Sequence, residues 1–188
     1  TLSLHDALPI FNAQQSFSYK NPLLPTELRV NDLLGRMTLE EKIAQIRHLH
    51  SWDVFDGQIL NQEKLDKMCG GIGYGFFEGF PLTAASCRKT FREIQTYMVE
   101  KTRLGIPGFP VAESLHGVVH EGTTIYPQNI AMGSTFNPEL AYEKTKHIAG
   151  ELNTMGVKQV LAPCIDVVRD LRWGRVEESF RSEEHTSE

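Results

Sequence analysis

Cysteine is scarce in this chain, a long apolar run is missing, and so is any excess of basic charge. The three cysteines among 188 residues, Cys69, Cys87 and Cys164, are too few and too scattered for a disulfide framework, and no C-x-x-C pair suggests a metal knuckle. An odd count leaves the redox compartment open. No stretch approaches the roughly 18 apolar residues of a membrane span, so none is expected. Nineteen Lys and Arg against 24 Asp and Glu give a net charge of -5. With no basic stripe to meet a phosphate backbone, nucleic acid is excluded as an expected partner. What is present, 40% hydrophobic and 23% charged residues with 15 Gly and 9 Pro, is the make-up of a soluble globular domain.

Both ends read as foreign. RSEEHTSE at 181–188 resembles the translation of a sequencing adaptor, AGA TCG GAA GAG CAC ACG TCT GAA, and TLSLHDALPI at 1–10 resembles the opposite adaptor in one frame. Setting both aside leaves Phe11 to Phe180, with 18 basic against 20 acidic residues, so much of the apparent acidity sits in the ends. Residues 11–24 suit an extended lead-in. Asn12-Ala13-Gln14 could be the tail of a secretory signal, which would make the parent periplasmic or secreted.

From 25 to 180 the chain alternates between two periodicities. Thr26 opens an amphipathic stretch on Leu28, Leu33, Leu34 and Met37. Thr38-Leu39-Glu40-Glu41 is a capping-box pattern, and Ile43, Ile46 and Leu49 or His50 continue that helix on one face. A loop at Ser51 to Gly57 and a polar segment to Met68 follow. Gly70 to Phe77 reads as a short strand with glycines where backbones crowd. Cys87, Phe91, Ile94 and Met98 predict a helix ending near Gly105, and Phe109 to Ala112 the next strand, closed by Glu113. Asn137 and Pro138 are a cap and a first helical residue for a helix lined by Leu140, Ile148, Leu152 and Met155 and stopped by Gly156. Val157 to Val168 predicts a third strand. This alternation indicates parallel α/β architecture, either a doubly wound sheet or a (β/α) barrel, and strand pattern alone does not separate them. A barrel needs about 250 residues, so on that alternative the chain would be a fragment.

Several clusters invite chemistry. Glu113, directly after an apolar run, could accept two hydrogen bonds from the vicinal hydroxyls of a sugar, or be a solvated loop residue. Ser114 lacks the flanking glycines of a hydrolase elbow. His116 and His120 have a helical metal spacing, but Gly117 and two valines between them disfavour a helix. The glycine-rich stretch fails the G-x-G-x-x-G register, because Phe76 or Glu78 falls where the third glycine belongs. Lys146-His147 reads as a solvated helix face. The densest cluster is Asp166 to Ser179, which holds Asp166, Arg169, Asp170, Arg172, Trp173, Arg175, Glu177 and Glu178. Planar donors, acceptors and an apolar plate in one loop suit a polyhydroxylated ring, or else form a structural ion-pair network.

In order along the chain stand Met37-Thr38-Leu39-Glu40-Glu41-Lys42-Ile43-Ala44-Gln45, Arg103-Leu104-Gly105-Ile106-Pro107, Glu113-Ser114-Leu115-His116-Gly117, Tyr126-Pro127-Gln128 and Phe136-Asn137-Pro138-Glu139-Leu140. Leu161-Ala162-Pro163 follows, then Arg172-Trp173-Gly174-Arg175 and Glu178-Ser179-Phe180. These resemble, in order and spacing, the N-terminal domain of glycoside hydrolase family 3. The resemblance implies a retaining exo-acting glycosidase without a cofactor, a β-glucosidase or β-xylosidase acting on β-linked glucosides or xylosides. It implies a (β/α)8 TIM-barrel-like fold, here incomplete at about the first three βα units. It assigns Glu113 and Arg175 to binding hydroxyls of the terminal sugar, with Asp166, Arg169 and Glu178 of the same motif as further substrate-binding candidates that, like Asp170, could instead only brace the loop. Leu171 replaces the proline usual in that run, so a looser turn is expected. The nucleophilic Asp, a Lys-His binding pair and the acid/base residue of the family belong downstream of Phe180, so the chain itself is expected to be inactive. A non-catalytic sugar-binding module is the rival reading, and a dinucleotide-binding domain a weaker one.

Overall fold

The structure is a computed structural model that describes residues 17–78 and 82–180. The foreign-end readings at 1–10 and 181–188, and the lead-in up to residue 16, lie outside the described residues. The chain divides into two compact units at Lys42/Ile43.

In the first unit a 3-10 turn, Ser18–Lys20, precedes helix α1, Thr26–Arg36, so the described part of the lead-in is folded into a turn where an extended segment was expected. The cause is local bonding: Asp32 accepts from the Tyr19 amide at 3.0 Å, and the Arg29 guanidinium donates to the Tyr19 carbonyl at 2.9 Å. Helix α2, Leu39–Ala44, starts on the expected capping box. The Thr38 amide donates to the Glu41 carboxylate at 2.9 Å, and Thr38 Oγ1 accepts from the Glu41 amide at 3.3 Å.

That helix was expected to run on to Leu49 or His50, and it does not. The chain tightens after Ala44 through bonds from Ile46 to Ile43 and from Arg47 to Ala44, leaves Ile46 77% exposed, and enters strand β1, His48–His50. A close backbone crossing accompanies the turn: a Cβ on Gly75 would fall 1.9 Å from the Gln45 carbonyl oxygen, so only glycine lets the two segments meet. Helix α3 (Ser51–Val54), a small antiparallel hairpin of β2 (Phe55–Asp56) and β3 (Ile59–Leu60), and helix α4 (Gln62–Cys69) come next. Sequence reasoning treats α4 as a polar segment, yet Asn61 caps it by accepting from the Lys64 amide at 3.0 Å. Leu65 and Cys69, four apart, are its buried face.

Strand β4 is Phe76–Glu78 only, because Gly70 and Gly71 belong to the turn after α4. Helix α5, Ala84–Lys101, leads to β5, Phe109–Glu113. A short helix α6, Asn129–Gly133, precedes α7, Pro138–Met155. The predicted start and stop of α7 are both observed: Asn137 accepts from the Leu140 amide at 2.9 Å, and Gly156 adopts a left-handed φ of 92°. Strand β6 is only Gln159–Leu161. The rest of the expected third strand is loop up to a 3-10 turn at Val176–Glu178.

Four parallel strands therefore form the sheet, in the order β1-β4-β5-β6, one more than the three expected from sequence. Strand order follows chain order with no reversal among the described strands, as in the wall of a barrel, whereas a doubly wound sheet reverses at its switch point. Alternation along the strands separates two faces. Leu49, Phe77 and Ala112 join a core with Phe91 and Ile94 of α5 and with Ile148 and Leu152 of α7. Phe77 meets Phe91 edge-on at 5.6 Å. The opposite face carries His48, Phe76 and Phe109 in a stacked row, with ring centroids 4.9 and 5.9 Å apart, and above them His50, Glu78 and Glu113. None of the described helices is long and apolar enough to cross a membrane.

Candidate functional site

Three consecutive parallel strands end in a side chain able to hydrogen-bond a ligand: β1 in His50, β4 in Glu78 and β5 in Glu113. The register pairs His50 with Glu78, so these groups gather at the carboxyl edge of the sheet, where parallel α/β proteins place ligands. They line a cleft of about 340 Å³ together with Trp52, His116 and His120. The Trp52 indole stacks on the His50 imidazole, 4.3 Å between centroids and 9° from parallel, and is 70% exposed at the cleft.

Glu78 Oε1 lies 3.5 Å from His50 Nδ1. It is also 2.9 Å from His48 Nδ1, at an angle that makes no hydrogen bond. Glu113 is solvent-accessible, yet its carboxyl is held above the usual carboxylate range. Partial desolvation at the cleft wall is the main cause, and the charges of Glu78 and Glu178 add to it, while Arg175 acts in the opposite direction. Glu113 thus feels the charges of two other carboxylates and one guanidinium, a setting in which a neutral ligand offering hydroxyl donors is favoured over an anion.

Arg175, on the long loop after β6, is near enough for its charge to act on Glu113. Its Nε and Nη2 donate to the two carboxylate oxygens of Glu178 at 2.8 and 2.6 Å, a fork-to-fork pair. That bond holds the Glu178 carboxyl below its usual range. Of the residues singled out from sequence, the structure therefore brings Glu113, Arg175 and Glu178 into electrostatic contact. Asp166 instead accepts from the Cys164 thiol at 3.1 Å, and Arg169 is exposed on the same loop. Asp170 closes the turn at Leu171: its carbonyl accepts from the Trp173 amide at 3.0 Å, and its carboxylate accepts from the Arg172 amide and guanidinium at 2.9 and 3.0 Å. The turn is thus held without the expected proline, and Leu171 itself is 79% exposed. Lys146 and His147 lie on the exposed side of α7, Lys146 3.4 Å from Glu143.

His50, Glu78 and Trp52 were missed as site residues. Their signal was a polar residue closing each of two three-residue strands, His-Leu-His and Phe-Phe-Glu, which are too short to show a period.

With the geometry in view, comparison with known proteins identifies relatives. A model of the glycosyl hydrolase family 3 N-terminal domain matches residues 38–187. A putative β-xylosidase of Formosa agariphila is 33% identical over 171 residues, 88% of this chain and 23% of the relative. A periplasmic β-glucosidase of Salmonella typhimurium is 30% identical over 162 residues, covering 85% and 19%. Among solved structures, a β-glucosidase from Erythrobacter marinus superposes with a TM-score of 0.75 at 29% identity, over 92% of this chain and 23% of its own. The chain thus spans about a fifth to a quarter of the length of the relatives it matches.

Proposed function

The chain belongs to glycosyl hydrolase family 3 through its N-terminal domain, and from that premise we propose that its strand-end cleft holds the terminal sugar of a β-linked glucoside or xyloside for hydrolysis. The observation that carries the reading is the convergence of Glu113 with the Arg175–Glu178 pair at the carboxyl edge of a parallel sheet. Glu113 accepts hydrogen bonds from two adjacent ring hydroxyls. Arg175, fixed in plane by Glu178, donates to a third oxygen. Trp52 offers an apolar face, which suits the C–H side of a pyranose. Asp166 and Arg169 shape the loop that delivers Arg175. The β-xylosidase and β-glucosidase relatives support the sugar class, and the cleft does not choose between glucose and xylose. The periplasmic relative supports a parent that works outside the cytoplasm.

Retaining hydrolysis needs two carboxyl groups about 5–5.5 Å apart, one as nucleophile and one as acid and base. None of the motif-matched positions carries either role. The chain therefore contributes the first strands of a barrel and the grip on the sugar, and by itself it holds without cutting.

Titration calorimetry with glucose and with xylose tests the grip, and p-nitrophenyl β-glucoside and β-xyloside test the cut. Saturable heat with one of the sugars and no release of p-nitrophenol is expected. Absence of heat with both sugars overturns the binding half, and turnover by the purified chain overturns the inactive half.

A further inference from the structure

A buried lysine lies away from the cleft. Lys144, in the N-terminal half of α7, is 6% exposed, and desolvation holds its ammonium below the usual lysine range. It donates to the Asn129 side-chain oxygen at 2.8 Å and to the Pro127 carbonyl at 3.2 Å, and it lies 5.9 Å from the centre of the Phe180 ring. Asn129 is 1% exposed and donates its side-chain amide to the Glu178 carbonyl at 2.9 Å.

An ammonium can only donate. It therefore fixes the otherwise ambiguous amide of Asn129, oxygen toward Lys144 and nitrogen toward Glu178. A buried amide turned the other way would set two acceptors, its own oxygen and the Glu178 carbonyl, against each other, and a buried polar group left unpaired is costly. The segment so held is tightly seated. Ser179 is fully buried and bridges to Cys164, and a Cβ on Gly133 of α6 would fall 1.9 Å from the Phe180 carbonyl oxygen. Glu178 in turn carries the fork that fixes Arg175.

We propose that Lys144 is a positioning residue: by orienting the Asn129 amide it seats the Glu178 backbone, and so places the Arg175–Glu178 pair at the cleft. It does not touch the sugar. The proposal rests on the sugar-holding reading only for the use to which the seated pair is put.

The full chain carries two tryptophans, Trp52 and Trp173, so a Trp52→Phe background leaves Trp173, within the loop that presents Arg175, as the single reporter. In that background Lys144→Met and Asn129→Asp are expected to raise acrylamide quenching of Trp173 by about twofold or more, as a loosened segment opens locally, while Lys144→Arg stays near the parent. Asn129→Asp keeps an acceptor for Lys144 and loses the donor to Glu178, so it decides the matter if Lys144→Met fails to fold by circular dichroism. Unchanged quenching in Asn129→Asp overturns the proposal, and so does a rise in Lys144→Met that Lys144→Arg shares. Titration of the unmodified chain with glucose and with xylose is read separately. Failure with both sugars while the quenching pattern is intact overturns the sugar reading and leaves the seating of the loop standing.

Discussion

At Glu113, the proposed binding role and stability pull in opposite directions. Its carboxyl is held above the usual range, mainly by desolvation and then by Glu78, so the folded chain binds a proton there that the unfolded chain has released. Stability then falls as pH rises from the ordinary glutamate range through the raised value, and the cost is in place above it. Glu113→Gln removes that charge. It is expected to raise the melting temperature at pH 7, a difference that vanishes below the ordinary carboxylate range in pH-dependent thermal scans. On the proposed sugar-holding role, the same substitution would remove charge-assisted hydrogen bonds to the ligand, worth about 1.5–3 kcal/mol, so glucose affinity should drop by roughly tenfold to a hundredfold. Glu178 has the opposite sign: Arg175 holds its carboxyl low, so its contribution to stability is present above the ordinary glutamate range and is lost as pH falls through the lowered value. Arg175→Lys cannot keep the fork and on the proposed role should weaken glucose binding, with little change in melting temperature because the Arg175 side chain is 62% exposed and solvent screens its side of the pair. Glu113 and Arg175 stood out in the sequence because each lies in an ordered motif. Lys144 did not, because nothing in Glu-Lys-Thr-Lys-His tells the buried lysine from the solvated one.

At the scale of elements, the long helices were legible where their ends were written in side chains. Asn137, Pro138 and Gly156 set both limits of α7, and Asn137→Ala should cost about 1 kcal/mol in urea denaturation, with an unchanged m-value. The short strands were not legible. Three residues show no alternation, and β1 was absorbed into a helical pattern because Ile43, Ile46 and Leu49 happen to fall three apart. What ends that helix is tertiary, the Gln45 backbone crossing Gly75, and no local propensity encodes it. Gly75→Ala is therefore expected to prevent the native sheet from forming, seen as loss of cooperative unfolding. Phe77→Ala, in the core behind the cleft, should cost about 3–5 kcal/mol.

For the whole molecule, the parallel α/β class and the polar end of β5 followed from the order of the periodic segments, but the count of strands and the polar ends of β1 and β4 did not. Those came from register, which brings residues 28 and 35 positions apart, His50 with Glu78 and Glu78 with Glu113, to one edge. Among the described residues β1 pairs only with β4 and β6 only with β5, and Phe109, on the face away from the helices, is 52% exposed. Open edges and an exposed apolar face favour association. Sedimentation velocity of the chain alone should show concentration-dependent self-association, and a stable monomer across the range would contradict this.

The cleft itself is tested most directly by titrating glucose, and then xylose, into the isotope-labelled chain and following backbone amide resonances. Saturable shifts should centre on the ends of β1, β4 and β5 and on the loop carrying Arg175, and should be lost in Glu113→Gln. Shifts centred elsewhere, or none with either sugar at millimolar concentration, would contradict the account.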